Sequence, residues 1–290
     1  MIKLENDFLC VEIAEAGAEV TRIFDKQKSA EILWEGDPLY WKRHSPILFP
    51  NVGKTYQNQI LIDGTVYPTS QHGFARDQVF TCVESSADEA LLMLEASKET
   101  KKVYPYEFKL YIHYRLQEKE LKVEWRVENC DERTMYFTIG GHPAFRFAGR
   151  DEKKEDYVLK FPGKEALTYS LLDPATGTGR PETQYVLKLT DEIFPLTEKM
   201  FAKDALIFDD GQIEEAWICH KDGTPYVGIR GEGFANFGIW SVKDAPFICL
   251  EPWAGRCDDY GFAEDISRKK GIISLRAKDI FVKSYKIIVE

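Results

Sequence analysis

The stretch "FKLYIHYRLQEKELKVEWRVEN" (residues 108–129) decides the fold. In its second half Leu121, Val123, Trp125 and Val127 alternate with Lys122, Glu124, Arg126 and Glu128. Successive side chains of a strand point to opposite faces, so this is a half-buried strand with a charged outer face. The first half alternates in the same way, with Leu110, Ile112, Tyr114 and Leu116 on one side, and the short polar "QEKE" between the halves reads as a hairpin turn. Working outward, "ALLMLEAS" (90–97), "PYVGIRG" (225–231), "NFGIWSV" (236–242) and "IFVKSYKIIVE" (280–290) also read as strands. Turn-forming clusters such as "IDGTVY", "DPATGTGRPE" and "HKDGTPY" separate them. Helix-period segments are short: 190–206, limited by Pro195, and 258–271, each with room for a turn or two. Many strands with few helices predict an all-β fold, a large antiparallel β-sandwich or barrel. No repeat, low-complexity tract or linker interrupts the chain, so residues 1–290 are expected to form one domain, with the charge run 149–157 as a solvated loop.

With 38 Lys and Arg against 48 Asp and Glu, the 290-residue chain carries a formal charge of −10. That argues against nucleic acid and anionic membrane as partners. The opening "MIKLENDFLCVEIAEAG" has neither the apolar core of a signal peptide nor the length of a membrane span. Six scattered cysteines without a close CxxC pair predict free thiols in a reducing cytoplasm. The spacings of Cys219 with His220 and of Cys249 with Cys257 fit no common metal template, and no metal is expected. There is no P-loop, and the glycines of "GIRGEGFANFG" lie in a strand–turn–strand context, so no nucleotide cofactor is expected either.

The chemistry-bearing residues gather in three stretches, "PTSQHGFARDQVF" (68–80), "TIGGHPAFRF" (138–147) and "ICLEPWAGRCD" (248–258). Of five histidines, His113 sits mid-strand on the face opposite Leu110 and Ile112, His220 precedes a turn, and His44 lies beside Arg43. His72 and His142 differ because each stands at a backbone irregularity, before Gly73 in one case and between Gly140-Gly141 and Pro143 in the other. Glycine permits a positive φ or close backbone approach, and proline ends a strand. A histidine held there either faces a cleft or is a satisfied structural residue, and the residues alone leave both readings open. Glu251 follows the apolar run Phe247–Leu250 and precedes Pro252-Trp253. Burial there raises a carboxyl pKa and suits a general base, while pairing with Arg256 or Lys243 is the structural alternative.

"SPILFPNVG", "YPTSQHGFARD", "GGHPAF", "KDALIF" and "CLEPWAGRCD" occur in that order, and together they resemble the aldose 1-epimerase (galactose mutarotase) family. The resemblance implies a β-supersandwich over nearly the whole chain, a small-molecule sugar as partner (a hexose or hexose phosphate), and anomerisation without metal or nucleotide. By matching motifs, Glu251 is implied as the base, His142 as the acid, His72 as a ligand near the ring oxygen, and Asp204 of "KDALIF" as a ligand of sugar hydroxyls. For Asp204 a helix cap before Ala205-Leu206 is the competing reading. The chain departs from the family where "GRxANRI" is usual: "VGKTYQNQI" (52–60) puts Lys54 and Gln59 at the arginine positions. Arg43 and Arg76 are the candidate substitutes for sugar binding, and "HGFAR" is shared with the hexose-6-phosphate epimerase branch. Arg76 either anchors its loop through a carboxylate or reaches the substrate. Trp41, Phe74, Phe145, Trp240 and Trp253 are candidates for an apolar sugar-stacking face. A non-catalytic sugar binder or sensor is the reading from another class. A glycosidase would need a second, suitably spaced carboxylate.

Overall fold

In the computed structural model, which describes residues 1–149 and 151–290, the hairpin forms as strands Phe108–Gln117 and Glu120–Asn129. Leu110 faces Val127, Ile112 faces Trp125, Tyr114 faces Val123 and Leu116 faces Leu121, so the apolar set of each strand meets that of the other on one buried face. Such cross-strand pairs are the unit of sheet stability, and burying each large side chain contributes about 1.5–3 kcal/mol. The turn is tighter than "QEKE" suggested, because Gln117 and Glu120 still pair and only Glu118-Lys119 connect them, Glu118 with φ +49°.

Among the described residues this hairpin is the centre of a nine-stranded antiparallel sheet. Ile280–Val289, Pro225–Arg230, Glu215–His220, Tyr157–Lys160 and Ile193–Pro195 extend it on one side, and Glu89–Glu95 and Thr81–Ser85 on the other. A second sheet of six strands runs Leu206–Phe208, Asn236–Trp240, Phe247–Ala254, Ile139–Gly141 and Ile47–Leu48, with Ala144–Arg146 also on Phe247–Ala254. A four-stranded N-terminal sheet, Ile2 to Glu31, joins the same core. Leu110, Ile112 and Tyr114 of the large sheet share one apolar cluster with Ile139, Ile239, Ile248 and Leu250 of the second, the face-to-face packing of a sandwich. Phe247–Ala254 is buried along its whole length, which is why "FICLEPWA" is nearly continuously apolar.

Only single 3-10 turns, Glu198–Phe201 and Ile266–Arg268, form within the two helix-period segments. Pro195 ends a strand rather than breaking a helix. The charge run is not simply solvated. Arg150 lies outside the described residues, but Lys154 is fully buried, donating to Glu198 Oε1 (2.7 Å) and to the carbonyls of Val242 and Ala245. None of the described helices is long and apolar enough to cross a membrane.

Candidate active site

The central strand of the six-stranded sheet carries Glu251, and its neighbour brings His142 to it by register. Ile139 pairs with Ala254 and Gly140 with Trp253, while Ala144 pairs with Cys249, so the same alignment carried between them sets His142 opposite Glu251. Gly140 and Gly141 serve close approach rather than a positive φ. A Cβ on Gly140 would stand 2.5 Å from the Trp253 ring, and one on Gly141 2.6 Å from the Tyr285 hydroxyl. The result is His142 Nε2 3.3 Å from Glu251 Oε2, with the two residues 5% and 1% exposed.

Among the described residues no cation balances this carboxyl. Arg256 pairs with Asp209 and Asp259, and Lys243 lies beside Asp244, so neither structural partner considered for Glu251 takes that part. Burial pushes the Glu251 carboxyl well above the usual carboxylate range. The Trp253 indole opposes that shift and the charge of Asp204 adds to it. Glu251 Oε2, Trp253 Nε1 and His142 Nδ1 are all buried without a hydrogen-bond partner among the described residues. Burial also drives the His142 imidazole down to about 3, assisted by the positive charges of Arg76 and Arg43. The low-dielectric site thus favours the neutral form of each group, with one proton held by the pair.

His72 reaches the same place from a turn in which it has φ +66° and Gly73 φ +70°. Left-handed backbone costs a non-glycine residue about 1–2 kcal/mol, and such strain concentrates at functional sites. The turn is pinned against the 47–53 segment, where His72 N donates to Gly53 O (2.8 Å) and Phe74 N to Phe49 O (3.0 Å). Gly53 N donates back to His72 Nδ1 at 3.0 Å. That bond requires Nδ1 to be the acceptor, which leaves the proton on Nε2 as a donor. Burial, followed by the charges of His142, Arg76 and Arg43, holds His72 well below the usual imidazole range. The rings of His72 and His142 meet edge to face at 5.4 Å, Trp41 stacks on His142 at 4.8 Å, and Trp240 closes its edge at 5.5 Å.

Glu251, His142, His72, Asp204, Arg43 and Arg76 all line one cleft of about 400 Å³, floored by Trp41, Trp240 and Trp253. Phe74 and Phe145, the other two aromatic candidates, belong to the core. A neighbouring cavity of about 800 Å³ shares Lys54, Gln71, Leu172, Gly177 and Asp204 with the cleft. Asp204 caps no helix. It has φ +76° after the Glu198–Phe201 turn, its carboxylate accepts from Ala205 N at 2.8 Å, and a strand follows. Arg76 donates to Gln71 O at 2.6 Å, which ties down the residue before His72. Asp77 is held closely by Arg43 (2.7 Å) and only loosely by Arg76 (3.9 Å), and Arg76 Nε is left without a partner among the described residues. Lys42 and Lys54 add two more cations to the lining, a local excess of positive charge in a chain of net charge −10. The remaining histidines stay outside the cleft: His44 and His113 lie by Glu19 and Glu89, and His220 packs on Tyr157 and Tyr226.

Sequence reasoning missed Gly53, whose N–H fixes the His72 tautomer, and Lys42 and Gln71 on the wall. Gly53 ends "SPILFPNVG", but nothing local signals a hydrogen bond to a residue nineteen positions away.

Residues 1–258 match the aldose 1-epimerase family. The chain belongs to that family. It is 29% identical over 296 residues to the plasmid and chromosomal LacX proteins of Lactococcus lactis subsp. lactis, with 99% of each chain covered. Among solved structures it is similar to a galactose mutarotase related enzyme from Lactobacillus acidophilus, with a TM-score of 0.94 and 27% identity over 99% of this chain and 96% of the other. A galactose mutarotase-like protein from Lactobacillus casei ATCC 334 gives a TM-score of 0.91 and 30% identity, both chains covered in full. A putative aldose 1-epimerase from Escherichia coli K12, at 17% identity and a TM-score of 0.75 over 100% of this chain and 98% of that one, shares the fold. The all-β antiparallel sandwich read from the strand pattern, in the galactose mutarotase-like form that the resemblance implied, is therefore the fold of this family member.

Proposed function

We propose that this protein interconverts the α and β anomers of a hexose by general acid–base ring opening and closure. The observation that carries the reading is the buried His142–Glu251 pair, 3.3 Å apart at the floor of a sugar-sized cleft, with no cation among the described residues to make it an ordinary ion pair. In the pyranose complex the pair holds its single proton on His142. Glu251 takes the proton of the C1 hydroxyl while His142 protonates the ring oxygen, and the C1–ring-oxygen bond breaks to give the aldehyde. Glu251 now carries the proton and His142 is neutral, which is the arrangement burial favours. Rotation about C1–C2 presents the other carbonyl face, and the same groups run in reverse to close the ring. His72 donates through Nε2 toward the ring oxygen, and Asp204 binds hydroxyls at the mouth of the second cavity. The tryptophan floor packs on the C–H face of the sugar. These transfers need only protons, and six unpaired cysteines suit a reducing cytoplasm.

A second reading, epimerisation of a hexose 6-phosphate, is favoured by Lys42, Arg43, Lys54 and Arg76 in the lining of the cleft. Arginine's planar fork binds phosphate bidentately, and Arg76 Nε has no other partner among the described residues. The free hexose remains the primary reading, because Arg43 and Arg76 already hold Asp77 and the Gln71 carbonyl. NMR or polarimetry of freshly dissolved α-anomers, run against free and phosphorylated hexoses, tests both. Catalysed equilibration of at least one sugar is expected. Binding without acceleration of any sugar would mark a sensor on the same fold.

A further inference from the structure

We propose that His142, Cys249 and Glu251 form a binding site for a borderline divalent ion of the zinc class, which sugar and metal occupy in competition. Cys249 and Glu251 stand two residues apart on one face of the central strand, and His142 is set opposite by the register already described. One ligand atom from each residue lies within 4.8 Å of the other two. All three residues are buried. Tetrahedral zinc with bonds of about 2.0–2.3 Å separates its ligand atoms by roughly 3.3–3.6 Å. His142 Nε2 and Glu251 Oε2, at 3.3 Å, already have that spacing and yet make no hydrogen bond. Drawing Cys249 Sγ in from within 4.8 Å to that spacing completes the trio, and the fourth position faces the cleft that His142 and Glu251 line, open to water or a sugar hydroxyl.

The donor set selects the ion. One imidazole, one thiolate and one carboxylate suit zinc or cadmium and suit magnesium or calcium poorly. Binding forms one bond to each ligand and releases two protons to buffer, the thiol's and the one held by the His142–Glu251 pair. No cation of the described residues occupies the position, since Arg256 and Lys243 are engaged elsewhere. Cys249 makes no contribution to the proposed proton transfers. It packs with Trp34, Ala144, Ala245 and Phe247, so it can be changed without touching the acid or the base. The metal site stands on the residues alone, whereas its effect as an inhibitor rests on the proposed function.

The test uses the full chain, freed of metal with a chelator, in wild type and in Cys249→Ser and Cys249→Ala, with native circular dichroism checked for each. Zinc binding is followed by calorimetry, and cadmium binding by the thiolate-to-metal charge-transfer absorption. The wild type should bind one ion per chain in this site. Both variants should lose the corresponding absorption and bind about tenfold or more weakly, since loss of a direct ligand exceeds the usual effect of losing a supporting group. Zinc should inhibit wild-type anomerisation competitively with sugar, and Cys249→Ala should resist it while keeping its metal-free turnover. Unchanged affinity and absorption in both folded variants, or metal binding indifferent to saturating sugar, would overturn the proposal. Absence of turnover in metal-free wild type that still binds cadmium through Cys249 would instead overturn the proposed function alone.

Discussion

Replacing Glu251 by glutamine should make the protein both inactive and more stable. The amide keeps the shape of the carboxyl and can donate to His142 Nε2, 3.3 Å from the present Oε2, but it cannot remove a proton. Loss of a positioned base costs about 10²–10⁴ in rate, or roughly 3–5 kcal/mol of barrier. The stability gain follows from linkage. A carboxyl 1% exposed, with no cation beside it among the described residues, has its pKa raised above the ordinary 4.5 by burial, so the folded state binds a proton that the unfolded chain has released. Stability therefore falls as pH rises from 4.5 toward the folded value. Each pH unit in that window costs about 1.36 kcal/mol, which sets a ceiling of about 3.4 kcal/mol at pH 7. Glutamine does not titrate and removes this cost. Urea denaturation of both proteins at pH 7 and near pH 4.5 measures it, with the slope checked for constancy. The variant should be the more stable at pH 7, and the difference should shrink toward zero at the lower pH. A variant less stable at pH 7, or a difference independent of pH, would refute the account of an uncompensated buried carboxyl. Near-normal turnover would refute its role as the base.

Four further outcomes are expected. His142→Asn should reduce kcat more than it raises KM, because an acid acts in the transition state, while His72→Asn should be milder; steady-state kinetics showing the reverse order would exchange their roles. Because burial holds His142 down at about 3, a second proton joins the pair only far below pH 6.5, and kcat/KM should not fall on acidification from pH 7 to pH 5. An acid limb near 6.5 in a protein shown to stay folded would contradict that. Arg76→Gln separates the two substrate readings. A selective loss on hexose 6-phosphates with strong salt dependence supports phosphate binding, whereas equal losses on free and phosphorylated sugars identify an anchor of the His72 turn through Gln71 O. Gly73→Ala should destabilise by about 2–4 kcal/mol in chemical denaturation, since its φ is +70° and the new Cβ would lie 2.2 Å from Phe49 O.

Strand identity was legible in the sequence because it is a short-range property. Alternation over 108–129 specifies two faces whatever the strand packs against, and polar turn residues mark where it reverses. The sequence also singled out Glu251, His142 and His72, because an acid after an apolar run and histidines beside glycine or proline are local anomalies. What each anomaly was for depended on distant partners. Gly140 and Gly141 yield space to Trp253 and Tyr285, while Gly73 supplies a positive φ, and the letters alone do not separate the two uses. The opposition of His142 to Glu251 is a matter of register between strands more than a hundred residues apart. Arg256 lay near enough in sequence to neutralise Glu251, and only the fold directs it to Asp209 and Asp259. The Gly53 bond that fixes the His72 tautomer, the trio completed by Cys249, and the burial of Lys154 within a run of charges were likewise decided by tertiary structure. Side-chain periodicity is written residue by residue, whereas burial, charge balance and proton affinity are set by everything that packs around a group once the sheets have closed.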